Sequence, residues 1–163
     1  MVEMELLGVR LEIPANAPVV LLREQTGDRV LPIYIGPEEA KAIAMALEGM
    51  STPRPMTHDL FRDTLAALGA AVSRITVTEL RDRTFFAELE LRIEGRTVRV
   101  SSRPSDAIAL AVRVDAPIYA SEDVLDEAAA PVQEEPGDPE EQEQIVDEFR
   151  EFIDQVNPDD FAG

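Results

Sequence analysis

The chain has 163 residues, 33 of them acidic against 15 basic, for a formal net charge of -18 at pH 7, with one histidine and no cysteine or tryptophan. At roughly 100 to 200 residues per domain this length admits one domain and an appendage, and 45% apolar with 29% charged residues is a globular composition. Without cysteine there is no disulfide, thiolate metal site or cysteine nucleophile, and a lone histidine excludes the multi-histidine motifs, so any metal is a hard ion held by carboxylates.

The opening Met1-Val2-Glu3-Met4-Glu5 lacks the basic and apolar regions of a secretory signal. No run nears the roughly 20 apolar residues of a bilayer span, so a cytoplasmic protein without membrane contact is expected. Strands are predicted over 5–13, 19–23 and 29–35, the last two joined through Thr26-Gly27-Asp28. Gly36-Pro37-Glu38-Glu39 then opens a helix, with proline at the first helical position and acids at the positive end of the dipole, and Gly49 stops it. Its face Ala40, Ile43, Ala44 and Leu47 suits close packing. After the loop Ser51-Thr52-Pro53-Arg54-Pro55, a second helix is capped by Thr57 and closed at Gly69, with Phe61, Thr64, Leu65 and Leu68 as its core face. Strands over 72–80 and 84–93 turn at Arg81-Asp82-Arg83, and the alternation of Phe85, Ala87, Leu89, Leu91 and Ile93 with Glu88, Glu90 and Arg92 is the clearest in the chain. Glu94-Gly95 turns into a strand over 96–100, Arg103-Pro104-Ser105-Asp106 starts a third helix ending near Val114, and a short strand spans 117–120. Hairpins outnumber strand-helix-strand crossovers. The expected fold is therefore α+β, a mixed and mainly antiparallel sheet packed against two or three helices, occupying residues 1–127.

The charge is unevenly spread. Residues 122–163 hold 16 acids and one base, Arg150, whereas residues 1–121 hold 17 acids and 14 bases. The run Glu122 to Glu143, with Pro131, Pro136 and Pro139, is too polar to offset the entropy of ordering. Residues 127–138 therefore read as a linker, and residues 128–163 as an appendage to the domain. From Asp138-Pro139 onward, Ile145, Phe149, Phe152, Ile153 and Val156 recur at helical spacing up to Asn157-Pro158. This amphipathic helix either docks on its own domain or binds a protein partner or a second subunit. An acidic tail also repels nucleic acid at low salt.

Two helices are each preceded by an Arg-Pro step, at Arg54-Pro55 and Arg103-Pro104. A helix start offers free N–H groups and positive dipole, and an arginine adds a fork for phosphate or carboxylate, so two such ends can hold one anion. Alternatively, each proline is an ordinary helix opener and each arginine pairs with a nearby acid. His58 has the only side chain whose unperturbed pKa lies near neutrality. Helical phase sets it at the flank of its helix, with Asp59 and Asp63 facing away from the core. That flank suits a general acid or phosphate donor, and equally a histidine bonded to a carboxylate. Asp59 and Asp63, four residues apart, can share Mg²⁺ or serve the dipole. Asp106, third in its helix, is placed to reach back to a free N–H. Glu48 at a helix end unfavourable to acids is a functional suspect. There is no glycine-rich phosphate loop, nucleophile elbow or zinc pattern.

Five ordered segments, Leu31-Pro32-Ile33-Tyr34-Ile35-Gly36, Ala46-Leu47-Glu48-Gly49, Thr52 to Leu60, Thr84-Phe85-Phe86-Ala87 and Ser102 to Ala111, together resemble the bifunctional nuclease domain family of bacteria and plants, over residues 1–127. The resemblance implies an α+β domain that self-associates, a dimer being favoured, and cleavage of DNA and RNA. On it, Arg54, Arg103 and Ser105 become phosphate-binding candidates, and His58, Asp59, Asp106 and Glu48 catalytic ones, with Asp59, Asp106 and Glu48 as ligands for Mg²⁺ or Mn²⁺. Electrostatics oppose tight nucleic-acid binding, since residues 1–121 are not basic overall. The alternative expectation is a non-catalytic module that binds a small anionic ligand or a protein partner, regulated by the acidic tail.

Overall fold

The structure, a computed structural model, describes residues 1–131. Its elements are β1 (Val2–Glu12), β2 (Ala17–Glu24), β3 (Arg29–Tyr34), α1 (Pro37–Leu47), α2 (Thr57–Ala67), β4 (Ala70–Arg81), β5 (Thr84–Ile93), β6 (Arg96–Ser102), α3 (Pro104–Val114), β7 (Ile118–Ala120), α4 (Glu122–Ala128) and β8 (Ala130–Pro131). The strands form one sheet in the order β6-β5-β4-β7-β1-β2-β3-β8. Only β4 and β7 pair in parallel, Ile75 opposite Ile118 and Val77 opposite Ala120. The fold is thus α+β with a mixed, mainly antiparallel sheet.

The alternating pattern of β5 puts Ala87, Leu89 and Leu91 in the core and Glu88, Glu90 and Arg92 on the other face. Against the inward face lies α3, whose Ala107, Ile108, Ala109, Leu110 and Ala111 are all essentially inaccessible to solvent. A helix apolar almost all round belongs inside a core, and α3 touches α1, α2, β4 and β5. Alanines at its packing positions let these neighbours approach closely. The residues after α1 and α2, Gly49 at φ 63° and Gly69 at φ 68°, lie in the left-handed region that ends helices and that glycine enters without penalty.

Three expectations are corrected by this fold. A fourth helix, α4, begins the acidic segment: the Ser121 hydroxyl accepts from the Val124 N–H at 3.3 Å, and Val124 and Leu125 are buried. Four helices are therefore present among the described residues. Because α4 contacts both β3 and β4, which three strands separate, the sheet curls around it. Arg29 fastens it, bonding Glu24 on one side and Glu122 and Asp126 on the other. Next, Ala130–Pro131 pairs with β3 at Arg29 and Val30, so residues 127–131 belong to the folded unit rather than to a linker. Finally, α2 buries Leu65 while Leu60, Phe61 and Leu68 are exposed, and the face turned to the protein carries His58, Asp59, Arg62 and Leu65. The remaining linker and the predicted C-terminal amphipathic helix lie outside the described residues.

Candidate functional site

The first turns of α1, α2 and α3 border a cleft of about 250 Å³ that runs on to the last turn of α3, lined by Glu39 and Lys41 of α1, Thr57 and His58 of α2, Arg103 and Asp106 at the start of α3 and Arg113 near its end. Local sequence sets each end. Gly36 is the N-cap of α1 with Pro37 behind it, and Arg103 is the N-cap of α3 with Pro104 at the first helical position. The N-cap of α2 is Met56, not Thr57, and its N–H donates to Asp59 Oδ2 at 3.0 Å. Asp59 thus supplies the returning half of a capping box.

At the centre, Asp106 holds two functional side chains. Its Oδ1 lies 2.9 Å from His58 Nε2, and Arg103 reaches it twice, Nε to Oδ2 at 2.7 Å and Nη2 to Oδ1 at 3.1 Å. Arg103 Nη1 also donates to Glu39 Oε1 at 2.8 Å. Burial pushes the Asp106 carboxyl up, but the bonds from Arg103 and His58 outweigh it and hold it below the usual carboxylate range. Asp106 and Glu39 in turn raise the Arg103 guanidinium. Facing an ionised carboxylate, Nε2 of a neutral His58 carries the ring proton and Nδ1 keeps the lone pair. Arg103 commits three of its N–H groups to these carboxylates, and the other two of its five have no acceptor among the described residues. Its side chain is 64% exposed and that of His58 15%. The cleft therefore combines an oriented imidazole with a guanidinium that has donors to spare, a pairing suited to an oxyanion such as phosphate.

Behind this trio, Asp59 Oδ1 accepts from Arg113 Nε at 2.8 Å, and Arg113 Nη1 donates to the Ala109 carbonyl at 2.8 Å. Burial raises the Asp59 carboxyl, yet Arg113 and the Met56 N–H bring it below its ordinary value. This pair ties α2 to α3 and so sets the distance between His58 and Asp106.

Of the expected site residues, His58, Arg103 and Asp106 converge. Asp106 does not cap its own helix, because its oxygens serve Arg103 and His58 instead. Ser105 is buried and lines a neighbouring cleft that shares Arg103. Asp59 faces Arg113 and the helix start rather than away from the core, and Asp63 is occupied by Arg62, so the two do not form a joint metal site. Arg54 is exposed and lines neither cleft. Glu48 is the C-cap of α1, at the opposite end of that helix from Glu39, and it is exposed. Helix phase alone could not show these separations. Glu39 and Arg113 carry no distinctive site signal in the sequence, because an acid in a first turn and a base in a last turn are ordinary responses to the helix dipole.

The expected cage of Glu48, Asp59 and Asp106 for Mg²⁺ or Mn²⁺ is not assembled. Asp59 and Asp106 are each neutralised by an arginine and Glu48 stands apart, and no group of three or more potential metal ligands occurs among the described residues. The donor set does not fit a carboxylate-held divalent ion. No helix among the described residues is long and apolar enough to cross a membrane.

Comparison with known sequences adds an independent observation. The family described as "Bifunctional nuclease domain" matches residues 20–133. An uncharacterized protein of Mycobacterium tuberculosis (strain ATCC 25618 / H37Rv) is 46% identical over 164 residues, covering 99% of this chain and 98% of the relative. Bifunctional nuclease 1 of Oryza sativa subsp. japonica is 30% identical over 115 residues, 69% of this chain and 34% of the plant protein. Bifunctional nuclease 2 of Arabidopsis thaliana is 32% identical over 108 residues, 64% of this chain and 32% of the relative. The match to these plant proteins thus spans about a third of their length.

Proposed function

This chain belongs to the bifunctional nuclease domain family, and from that premise we propose that it hydrolyses phosphodiester bonds of DNA or RNA in the cleft between the three helix starts. One observation carries the assignment: Asp106 orients His58 and Arg103 into the same space. The two uncommitted N–H groups of Arg103 bind the scissile phosphate and meet the charge that grows on its oxygens in the transition state. His58 Nδ1 takes a proton from water as the hydroxyl attacks phosphorus, and solvent on the opposite side protonates the leaving oxygen as the P–O bond breaks. Asp106 keeps the imidazole in the required tautomer, and Asp59 with Arg113 keeps the two helices in register.

Binding to nucleic acid is expected to be weak, since Arg103 is offset by Glu39 and Asp106 and the acidic segment repels phosphate. Self-association, with a dimer favoured, fits the exposed Leu60, Phe61 and Leu68 on α2, which together form an apolar stripe. Light scattering of the full chain tests it. A cytoplasmic site of action and a protein partner for the C-terminal segment complete the proposal.

The deciding experiment is cleavage of labelled single-stranded and duplex DNA and of RNA by rigorously purified protein, with Mg²⁺, Mn²⁺ or EDTA, beside His58→Ala and Arg103→Ala. Turnover that both variants lose is the expected result. Undiminished turnover in both would sink the assignment. The alternative, a non-catalytic module for a small anion or a protein partner, is favoured by the same compensation of Arg103 by two carboxylates. It predicts no turnover above a mock purification.

A further inference from the structure

A second cleft of about 250 Å³ adjoins the first, and Glu39 and Arg103 line both. Its other walls include Tyr34 at the end of β3, Arg83 at the β4–β5 turn, Phe85 at the start of β5 and Ser105 in the first turn of α3. The two clefts thus run on either side of one guanidinium. Each is below the roughly 300 Å³ of the smallest ordinary ligand pockets, room for one nucleotide-sized unit.

The chemistry of the second cleft differs from that of the first. Tyr34 is 59% exposed, and its hydroxyl donates to Glu12. That bond anchors the hydroxyl end of an exposed ring at the cleft wall, and an exposed ring is a surface on which a nucleobase stacks. Arg83 is exposed and makes no ion pair with any acid among the described residues. Its backbone φ is 61°, next to Asp82 at 49°, so the two-residue turn holds two side chains in the left-handed region where glycine is favoured at the second position. Arginine, aromatic ring and a shared phosphate-binding guanidinium are the ingredients of single-strand recognition, where cations follow the backbone and rings take bases regardless of sequence.

We propose that the second cleft is a subsite for the neighbouring nucleotide of an extended single strand, with Tyr34 stacking its base and Arg83 holding its phosphate while Arg103 spans the two nucleotides. The subsite rests on the phosphodiester reading of the first cleft, and it narrows the substrate class from nucleic acid in general to unpaired strands. A paired duplex cannot turn one base onto Tyr34 while its backbone stays in so small a cleft.

The test is fluorescence anisotropy with the full chain at low salt. The probes are short labelled single strands with phosphorothioate linkages that resist hydrolysis, the same strand with abasic sugars, and a blunt duplex. The parent binds the single strand more tightly than the duplex. Tyr34→Ala weakens binding of the strand with bases by about tenfold and leaves the abasic strand as it was, while Tyr34→Phe, which keeps the ring but loses its bond to Glu12, weakens binding less than Tyr34→Ala does. Arg83→Gly weakens both single strands and lowers the slope of log affinity against log salt by about 0.7. Its denaturation midpoint does not fall below the parent's, because glycine relieves the left-handed turn. The proposal is overturned by parent-like binding in Tyr34→Ala and Arg83→Gly, by equal loss on the abasic strand in Tyr34→Ala, by preference for duplex, or by no binding at all. Hydrolysis by the parent is measured separately on an ordinary phosphodiester strand. Binding as described without hydrolysis refutes the nuclease reading and leaves the subsite standing, whereas hydrolysis with unaltered variant binding does the reverse.

Discussion

Arg54-Pro55 and Arg103-Pro104 are the same dipeptide ahead of a helix, yet only one of them reaches a site. At α3 the arginine is itself the N-cap and proline the first helical residue, so the guanidinium stands at the helix mouth, beside Asp106 and across from Glu39. At α2 the N-cap is Met56, which sets Arg54 two residues back in an exposed loop whose backbone is held by the Thr52 hydroxyl. Two residues of offset move a side chain from the junction of three helices to the outside of the loop. A motif therefore counts through its position relative to the first turn and through what lies opposite.

The largest expected effect breaks this comparison most directly. His58→Ala and Arg103→Ala lower cleavage of a single-stranded oligonucleotide by about 10² to 10⁴, the range for losing a positioned acid–base or charge-stabilising group, whereas Arg54→Ala stays close to the parent in steady-state rate. Comparable losses at Arg54 and Arg103 would erase the distinction drawn between the two steps.

Somewhat smaller, and on stability rather than rate, is the effect of the pair that sets the spacing of α2 and α3. Asp59→Asn leaves the Arg113 side chain, only 7% exposed, without its charge partner, and should cost about 3 kcal/mol, the low end for a buried pair because the Asp59 side chain is 23% exposed. Urea denaturation followed by circular dichroism gives the number. Arg113→Met, which removes the stranded charge as well, should cost less. If it costs more, the contribution of Arg113 is packing and its bond to the Ala109 carbonyl rather than charge compensation.

Acid sharpens the comparison further. The carboxyls of Asp59 and Asp106 lie below their ordinary values in the folded protein, so the stability they contribute is complete above the unfolded value of about 3.9 and is lost as pH falls through the lower folded values. Stability measured across the acid limb should fall in that window in the parent and be flatter there in Asp59→Asn. An unchanged limb in the variant would remove Asp59 from the account.

The smallest effect concerns the acidic segment. Because Ala130–Pro131 is paired with β3, the cut that spares the fold comes after Pro131, not at residue 128. Deleting residues 132–163 removes twelve acids and one arginine, and should tighten oligonucleotide binding several-fold at low salt. The gain should shrink as salt screens it beyond roughly the 10 Å Debye length at 0.1 M. A gain that persists at high salt would indicate a covered surface instead of repulsion at a distance.

Much of the fold was legible in the chain because strands and helix starts are local. β5 spans the predicted residues 84–93, since alternation on a half-buried surface is a period-two signal carried by the side chains themselves, and both α1 and α3 have proline at the predicted first helical position. Even α4, missed behind its acidic composition, announces itself through Ser121 ahead of Glu122 and Asp123, an N-cap with acids at the positive end of the dipole. The apolar stripe of α2 was also visible, but periodicity marks a stripe without saying whether anything covers it, and Leu60, Phe61 and Leu68 stay in solvent. The sequence by itself determined the strand and helix inventory, the balance of charge and the handful of residues able to do acid–base or phosphate chemistry. Tertiary structure alone decided that His58, Asp106, Arg103 and Glu39 share a cleft while Arg54 and Glu48 do not, and that Asp59 braces two helices. The reason is physical: those outcomes depend on which helix ends the small residues of α3 allow to approach, a property of packing between distant segments that no local pattern contains.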